Sequence, residues 1–92
     1  MSDERMYELL LSRRALRYYQ RVDSDTARRL NQSFDTLAAN PFGGGDIKPL
    51  KGMKGIYRLR VGNLRVVYEV DVAARQIKVL AILPRGQAYK GR

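Results

Sequence analysis

Between Ile56 and Val70 the chain reads Ile-Tyr-Arg-Leu-Arg-Val-Gly-Asn-Leu-Arg-Val-Val-Tyr-Glu-Val, with apolar and polar residues alternating on either side of Gly62-Asn63. That two-residue period is the mark of half-buried strands, and Gly and Asn tolerate the positive φ that a two-residue hairpin turn requires. With Gly62-Asn63 as the loop the register is fixed. Val61 faces Leu64, Arg60 faces Arg65, Leu59 faces Val66 and Arg58 faces Val67. One face of the hairpin then carries Leu59, Val61, Leu64, Val66, Tyr68 and Val70, and must be the core face. The other presents Arg58, Arg60 and Arg65 together. Setting Arg60 directly across from Arg65 places like charges side by side and costs stability. A scaffold would put an acid there. A local conflict with the folding rules is expected at a functional site, and clustered guanidiniums suit phosphate oxygens, which they grip two at a time. A merely solvated arginine face is the plainer alternative.

The charge of the whole chain points the same way. There are 18 Lys plus Arg against 9 Asp plus Glu, a net of +9. Residues 1–46 cancel internally: Arg5, Arg13, Arg14, Arg17, Arg21, Arg28 and Arg29 stand against Asp3, Glu4, Glu8, Asp23, Asp25, Asp35 and Asp46. In residues 47–92 only Glu69 and Asp71 are acidic, so the excess lies in the second half. A one-sided basic field implies a polyanionic partner, nucleic acid before an acidic protein or an anionic membrane. The absence of Cys and His excludes disulfides, thiolate zinc sites, cysteine nucleophiles and imidazole bases. Catalysis would have to use Arg, Lys, Tyr, Ser or carboxylates. No stretch approaches the ~18 apolar residues of a membrane span, and the N-terminus lacks the pattern of a signal peptide. A soluble cytoplasmic protein is expected, with residues 1–92 forming one small domain.

Tyr7 to Leu11 reads as a strand, and Ser12 after it is a good N-cap for a first helix from Arg13 to Arg21 that buries Leu16 and Tyr19 or Ala15. Asp23 or Ser24 can cap a second helix, whose Ala27, Leu30, Phe34, Leu37 and Ala38 form one apolar stripe. Asn40-Pro41 ends it. Residues 40–55 form a Gly/Pro-rich loop. Its glycines and lysines lack the spacing of a phosphate-binding P-loop, but Lys48, Lys51 and Lys54 can lie along an RNA backbone. Gln76 to Leu83 is a near-continuous apolar run, hence a central strand covered on both sides for part of its length, and Pro84 ends it. Beyond lie Arg85, Tyr89, Lys90 and Arg92. Arg85 would join the basic surface if the strand end adjoins the arginine face, and Tyr89 offers a plane on which a base could stack.

The segment from Leu50-Lys51-Gly52 through the alternating hairpin, the apolar strand and Pro84-Arg85-Gly86-Gln87-Ala88-Tyr89 resembles the RelE/ParE family of toxins from bacterial and archaeal toxin–antitoxin systems. The element order fits as well, so the resemblance covers nearly the whole chain. It implies an α+β fold, a small antiparallel sheet with an N-terminal helical hairpin packed on it. For the RelE branch it implies a ribosome-dependent endoribonuclease that cuts messenger RNA in the A site. Such enzymes use no metal or other cofactor: the 2′-hydroxyl attacks the adjacent phosphate and leaves a cyclic phosphate. By the resemblance, Arg58, Arg60, Arg65, Arg85 and Tyr89 match the family's catalytic set, while Lys48, Lys51, Lys54 and Lys90 are RNA-binding candidates. Arg60 often corresponds to a Lys that resembles a general base, and a guanidinium cannot readily accept a proton at neutral pH. Either Lys51 or Lys54 substitutes, or orientation and charge stabilisation carry the reaction. Pro84 stands where relatives commonly have His, which leaves Arg85 to stabilise the leaving group.

The resemblance also implies partners: the small ribosomal subunit with its messenger RNA, and an acidic, RelB-like antitoxin wrapping the helices and basic face of a toxin that is monomeric within a hetero-oligomer. A ParE-like inhibitor of DNA gyrase that cuts nothing is the alternative within the family. A plain RNA-binding module, or a toxin that has lost its activity, is the alternative outside it.

Overall fold

The computed structural model describes residues 7–43 and 46–84. Its elements are β1 (Glu8–Leu11), α1 (Arg13–Tyr19), α2 (Ser24–Ala39), β2 (Ile47–Pro49), β3 (Ile56–Val61), β4 (Leu64–Asp71) and β5 (Gln76–Pro84). The strands form one sheet in the order β1-β5-β4-β3-β2. The expected α+β plan with a helical hairpin against a sheet is present, with two differences. The sheet is mixed: β2 through β5 pair antiparallel, but β1 runs parallel to β5, Glu8 against Gln76 through Leu11 against Val79. The cause is topological, because both helices intervene between β1 and the rest and return the chain by a crossover. Second, the loop read from residues 40–55 contains a short strand, β2, which pairs with β3 from Ile47–Leu59 to Pro49–Tyr57.

Ser12 joins three elements. Its Oγ caps α1 by accepting from the Ala15 N–H at 3.0 Å and donates to the Leu80 carbonyl at 2.9 Å, while its own N–H donates to the Val79 carbonyl. Leu80 is the extra residue of a β-bulge, since Val67 pairs with Ala81 but Tyr68 pairs with Val79. A bulge leaves backbone groups without ladder partners. Ser12 supplies one. Asp23 caps α2 from its Oδ1, which accepts from Thr26 N–H at 3.0 Å. Hydrogen bonds from Thr26, side chain and then backbone, hold the Asp23 carboxyl below the usual carboxylate range.

The apolar stripe of α2 packs as its spacing predicts: Leu30, Phe34, Leu37 and Ala38 are buried, against a core face that includes Leu64, Val66, Tyr68, Ile77, Val79 and Ile82. In α1 the buried residue is Ala15, and Leu16 lies 40% exposed because the helix ends at Tyr19 and turns only one narrow face to the sheet. Tyr68 is fully buried and its hydroxyl donates to the Pro41 carbonyl at 2.8 Å. Burial, and then the neighbouring Tyr57, pushes its ionisation well above the ordinary phenol range. Tyr57 stacks on Tyr68 with ring centroids 5.8 Å apart, and Phe42 meets the edge of Tyr57 at 5.5 Å. This aromatic pile ties the segment after α2 to the centre of the sheet.

Candidate active site

The hairpin register is the one that the alternation predicts. Arg58 pairs with Val67, Leu59 with Val66, Arg60 with Arg65 and Val61 with Leu64. The tight turn is made by Gly62 alone in the positive-φ region, at +58°, and the Arg29 guanidinium lies over it at 3.2 Å from the place a Cβ would take. Glycine at the first central position suits a II′-type hairpin turn. Because side chains alternate across a strand, the register divides the sheet. Tyr57, Leu59, Val61, Leu64, Val66 and Tyr68 turn toward the helices. Arg58, Arg60 and Arg65 turn to the opposite face.

β2 completes that face. Lys48 stands directly across from Arg58, and Asp46 precedes the strand by one residue, at the same parity. Asp46, Lys48, Arg58, Arg60 and Arg65 line one recess of about 130 Å³. Its sheet neighbours are apolar: Val67 is opposite Arg58, Ala81 is opposite Val67, and both are buried. The bulge at Leu80 sets Ala81 on this side while returning Ile82 to the core. Within the recess one ion pair forms. Asp46 Oδ1 lies 3.6 Å from a terminal nitrogen of Arg60, both side chains more than half exposed, and the Arg60 N–H donates to the Asp46 carbonyl at 3.2 Å. Among the described residues, four cations therefore share a small concavity with one carboxylate, an arrangement that attracts an oxyanion such as a phosphodiester of a nucleic-acid backbone.

Of the residues singled out from sequence, the structure brings together Arg58, Arg60, Arg65 and Lys48. Lys51 and Lys54 sit in the exposed turn between β2 and β3 and are not among the groups lining the recess. Arg85, Tyr89 and Lys90 lie outside the described residues. The last paired residue of β5, Pro84, stands opposite Leu64, and Leu83 stands opposite Arg65, so β5 ends beside the arginine cluster. Asp46 is a member of the recess that the sequence pattern does not single out. Its signal is slight: it is the last acid before the basic half and two residues before Lys48, the spacing that puts two side chains on one face of an extended chain. Among the described residues no three His, Cys, Asp or Glu side chains come together as a metal site would need, and no helix is long and apolar enough to cross a membrane.

A second, larger concavity of about 440 Å³ lies between the helical hairpin and the β3–β4 turn, where Arg21 and Arg29 meet Asp23, Tyr18 and Val61.

Comparison with known proteins adds the lineage. Residues 9–89 match the family model described as the ParE toxin of the type II toxin–antitoxin system parDE. Toxin RelE of Mycobacterium tuberculosis is 30% identical over 92 residues, covering 98% of this chain and 93% of that protein. A protein of Methanocaldococcus jannaschii named for the RelE1 toxin is 31% identical over 86 residues, covering 91% of this chain and 96% of its own length. The archaeal RelE–RelB complex from Pyrococcus horikoshii superposes with a TM-score of 0.80 at 29% identity, over 90% of this chain and 99% of that one. The isolated RelE toxin of E. coli shares the fold, with a TM-score of 0.77 at 20% identity over 90% of this chain and 88% of that one. A family model spanning most of the sequence, and relatives aligned almost end to end, place this chain in the RelE/ParE family of type II toxin–antitoxin toxins.

Proposed function

We propose that the chain is a ribosome-dependent endoribonuclease that cleaves messenger RNA in the A site without a metal. The observation that supports this best is the placement of Arg58, Arg60, Arg65 and Lys48 around one recess on the face of the sheet opposite the helices. In this reaction the 2′-oxygen attacks the neighbouring phosphorus and negative charge accumulates on the phosphoryl oxygens. Guanidiniums already fixed on adjacent strands stabilise that charge with little reorganisation. The ribosome would present the codon extended, so that one phosphate reaches the recess. Arg85 is assigned to stabilising charge at the leaving oxygen without giving up a proton, and Tyr89 to stacking on a base, with Lys51, Lys54 and Lys90 on the flanking backbone. In the free toxin the exposed cations await a partner, which we assign as an acidic, RelB-like antitoxin, and Arg21 and Arg29 in the cleft beside the hairpin turn suit such a peptide. Four of the similar solved structures are of a RelE toxin with its RelB antitoxin or a peptide of it.

The test is cleavage of messenger RNA on programmed ribosomes with mapping of the new ends. Wild type should cut within the A-site codon, and Arg65→Ala should be slower by ~10²–10³-fold, the usual consequence of losing one preorganised donor to the transition-state oxyanion. No cleavage by wild type, or an Arg65→Ala protein as fast as wild type, sinks the proposal. One observation favours a second reading. The matching family model is described by the ParE toxin, and a ParE-like toxin would inhibit DNA gyrase and cut nothing. Gyrase supercoiling assays at micromolar toxin separate the two.

A further inference from the structure

We infer that Asp46 is the general base that takes the proton from the attacking 2′-hydroxyl. The inference rests on the ribonuclease reading above and supplies the one role that the arginines cannot fill. A base must reach the 2′-oxygen within hydrogen-bond distance, directly or through one water. That oxygen is two bonds from the carbon bearing the scissile phosphate's 3′-oxygen, so a phosphate seated against Arg58, Arg60 and Arg65 brings it within reach of whatever else lines a recess of only about 130 Å³. Among the described residues the groups facing this space are Asp46 before β2, Lys48 on β2, Arg58 and Arg60 on β3, and Arg65 on β4. Guanidiniums do not accept protons, and an ammonium has no free lone pair. Among these five groups the carboxylate is the one suited to take a proton. Its contact with Arg60 at 3.6 Å ties it to the edge of the cluster.

The proton count closes within the recess. An Asp46 oxygen takes the 2′-OH proton as the bond from the 2′-oxygen to phosphorus forms. The bond from phosphorus to the 5′-oxygen breaks, and that oxygen leaves with a proton from the Lys48 ammonium. Water then carries the proton on Asp46 back to Lys48. The products are a 2′,3′-cyclic phosphate and a free 5′-hydroxyl, with no net proton released. Asp46 also explains how the chain manages with an arginine at position 60. The acceptor sits beside that position rather than on it.

The experiment is single-turnover cleavage on programmed ribosomes with wild type, Asp46→Asn, Asp46→Glu, Lys48→Gln and Arg65→Ala, each checked by its melting curve and by its affinity for programmed ribosomes. Asp46→Asn should melt within ~5 °C of wild type, bind programmed ribosomes at least as tightly because a negative charge is gone, and cleave ~10²–10⁴-fold more slowly, the usual range for a lost general base. Asp46→Glu, which keeps the carboxylate, should recover part of that rate. If wild type cleaves and Arg65→Ala does not, but Asp46→Asn cleaves as fast as wild type, Asp46 is not the base. Nor is it the base if Asp46→Glu is as slow as Asp46→Asn while both bind ribosomes like wild type. If wild type itself does not cleave, the ribonuclease reading fails instead.

Discussion

Replacing Arg65 by Glu should make this protein more stable while abolishing its function. Arg65 stands directly across from Arg60, and the recess they share also holds Lys48 and Arg58 against, among the described residues, the one acid Asp46. Opposite charges directly across an antiparallel pair contribute roughly 0.2–1 kcal/mol relative to Ala–Ala, and like charges cost a similar amount. The Arg60 side chain is 61% exposed and already has Asp46 at 3.6 Å, so screening and that existing partner keep the exchange toward the low end, ~0.5–1 kcal/mol. At this chain length 1 kcal/mol moves the melting temperature by about 5 °C, so Arg65→Glu should melt ~3–5 °C above wild type at low ionic strength. Arg65→Gln, which removes the repulsion and adds no attraction, should fall between them. In 1 M salt, where the Debye length is ~3 Å, most of the difference should vanish. Cleavage should be lost in both variants. A Glu variant that melts below the Gln variant, or a gain that is the same at low and high salt, would refute the idea that the cluster is held against its own repulsion for the sake of an anionic substrate.

Two further outcomes follow from the fold. Tyr68→Phe removes one buried oxygen and leaves the Pro41 carbonyl without its donor. It should lower stability by ~1–3 kcal/mol, read as a fall in denaturant midpoint at unchanged m-value; a midpoint equal to wild type would show that the bond contributes nothing net. Asp23 contributes capping stability that is present above the ordinary carboxylate range and lost as pH falls through its lowered folded value. Asp23→Asn, which caps without titrating, should therefore show a shallower fall in melting temperature between pH 5 and 2, and parallel curves for the two proteins would exclude that contribution.

The parts legible in the sequence are those governed by local periodicity. Gly62-Asn63 between alternating runs determines every pair of the β3–β4 hairpin, and a slip of one residue would have turned Leu59 and Val66 to water and the arginines inward. The stripe from Leu30 to Ala38 and the caps Ser12 and Asp23 depend on neighbours within one turn, and they appear where expected. What is not legible depends on distant partners. The parallel docking of β1 on β5 joins residues 68 apart in sequence, as Glu8 and Gln76 are. Nothing in either segment specifies the other. β2 is three residues long and contains Pro49, so it has too few alternations to register as a strand and forms because β3 offers an edge. Asp46 escapes notice for the same reason. Its importance comes from the strand that begins after it, and without β2 it reads as one more loop acid. Lys51 and Lys54 stand closer in sequence to the arginines and so draw the eye first, but the turn carries them away from the face that β2 joins.

The recess is therefore assembled from two kinds of support. Arg58, Arg60 and Arg65 are fixed by the ladder itself, since each projects from a residue whose neighbours along the strand are held in the core. Asp46 is held from the strand that follows it: Ile47 pairs with Leu59, and the Asp46 carbonyl accepts from the Arg60 N–H at 3.2 Å. β2 is only three residues long, so the carboxylate rests on a short edge pairing while the guanidiniums rest on the longer β3–β4 ladder. Weakening the β2–β3 pairing would displace the acceptor and leave the oxyanion donors in place. The position of the base and the grip on phosphate thus depend on different pairings of the same sheet, and a misplacement of about 1 Å in a reacting group is enough to cost two orders of magnitude in rate.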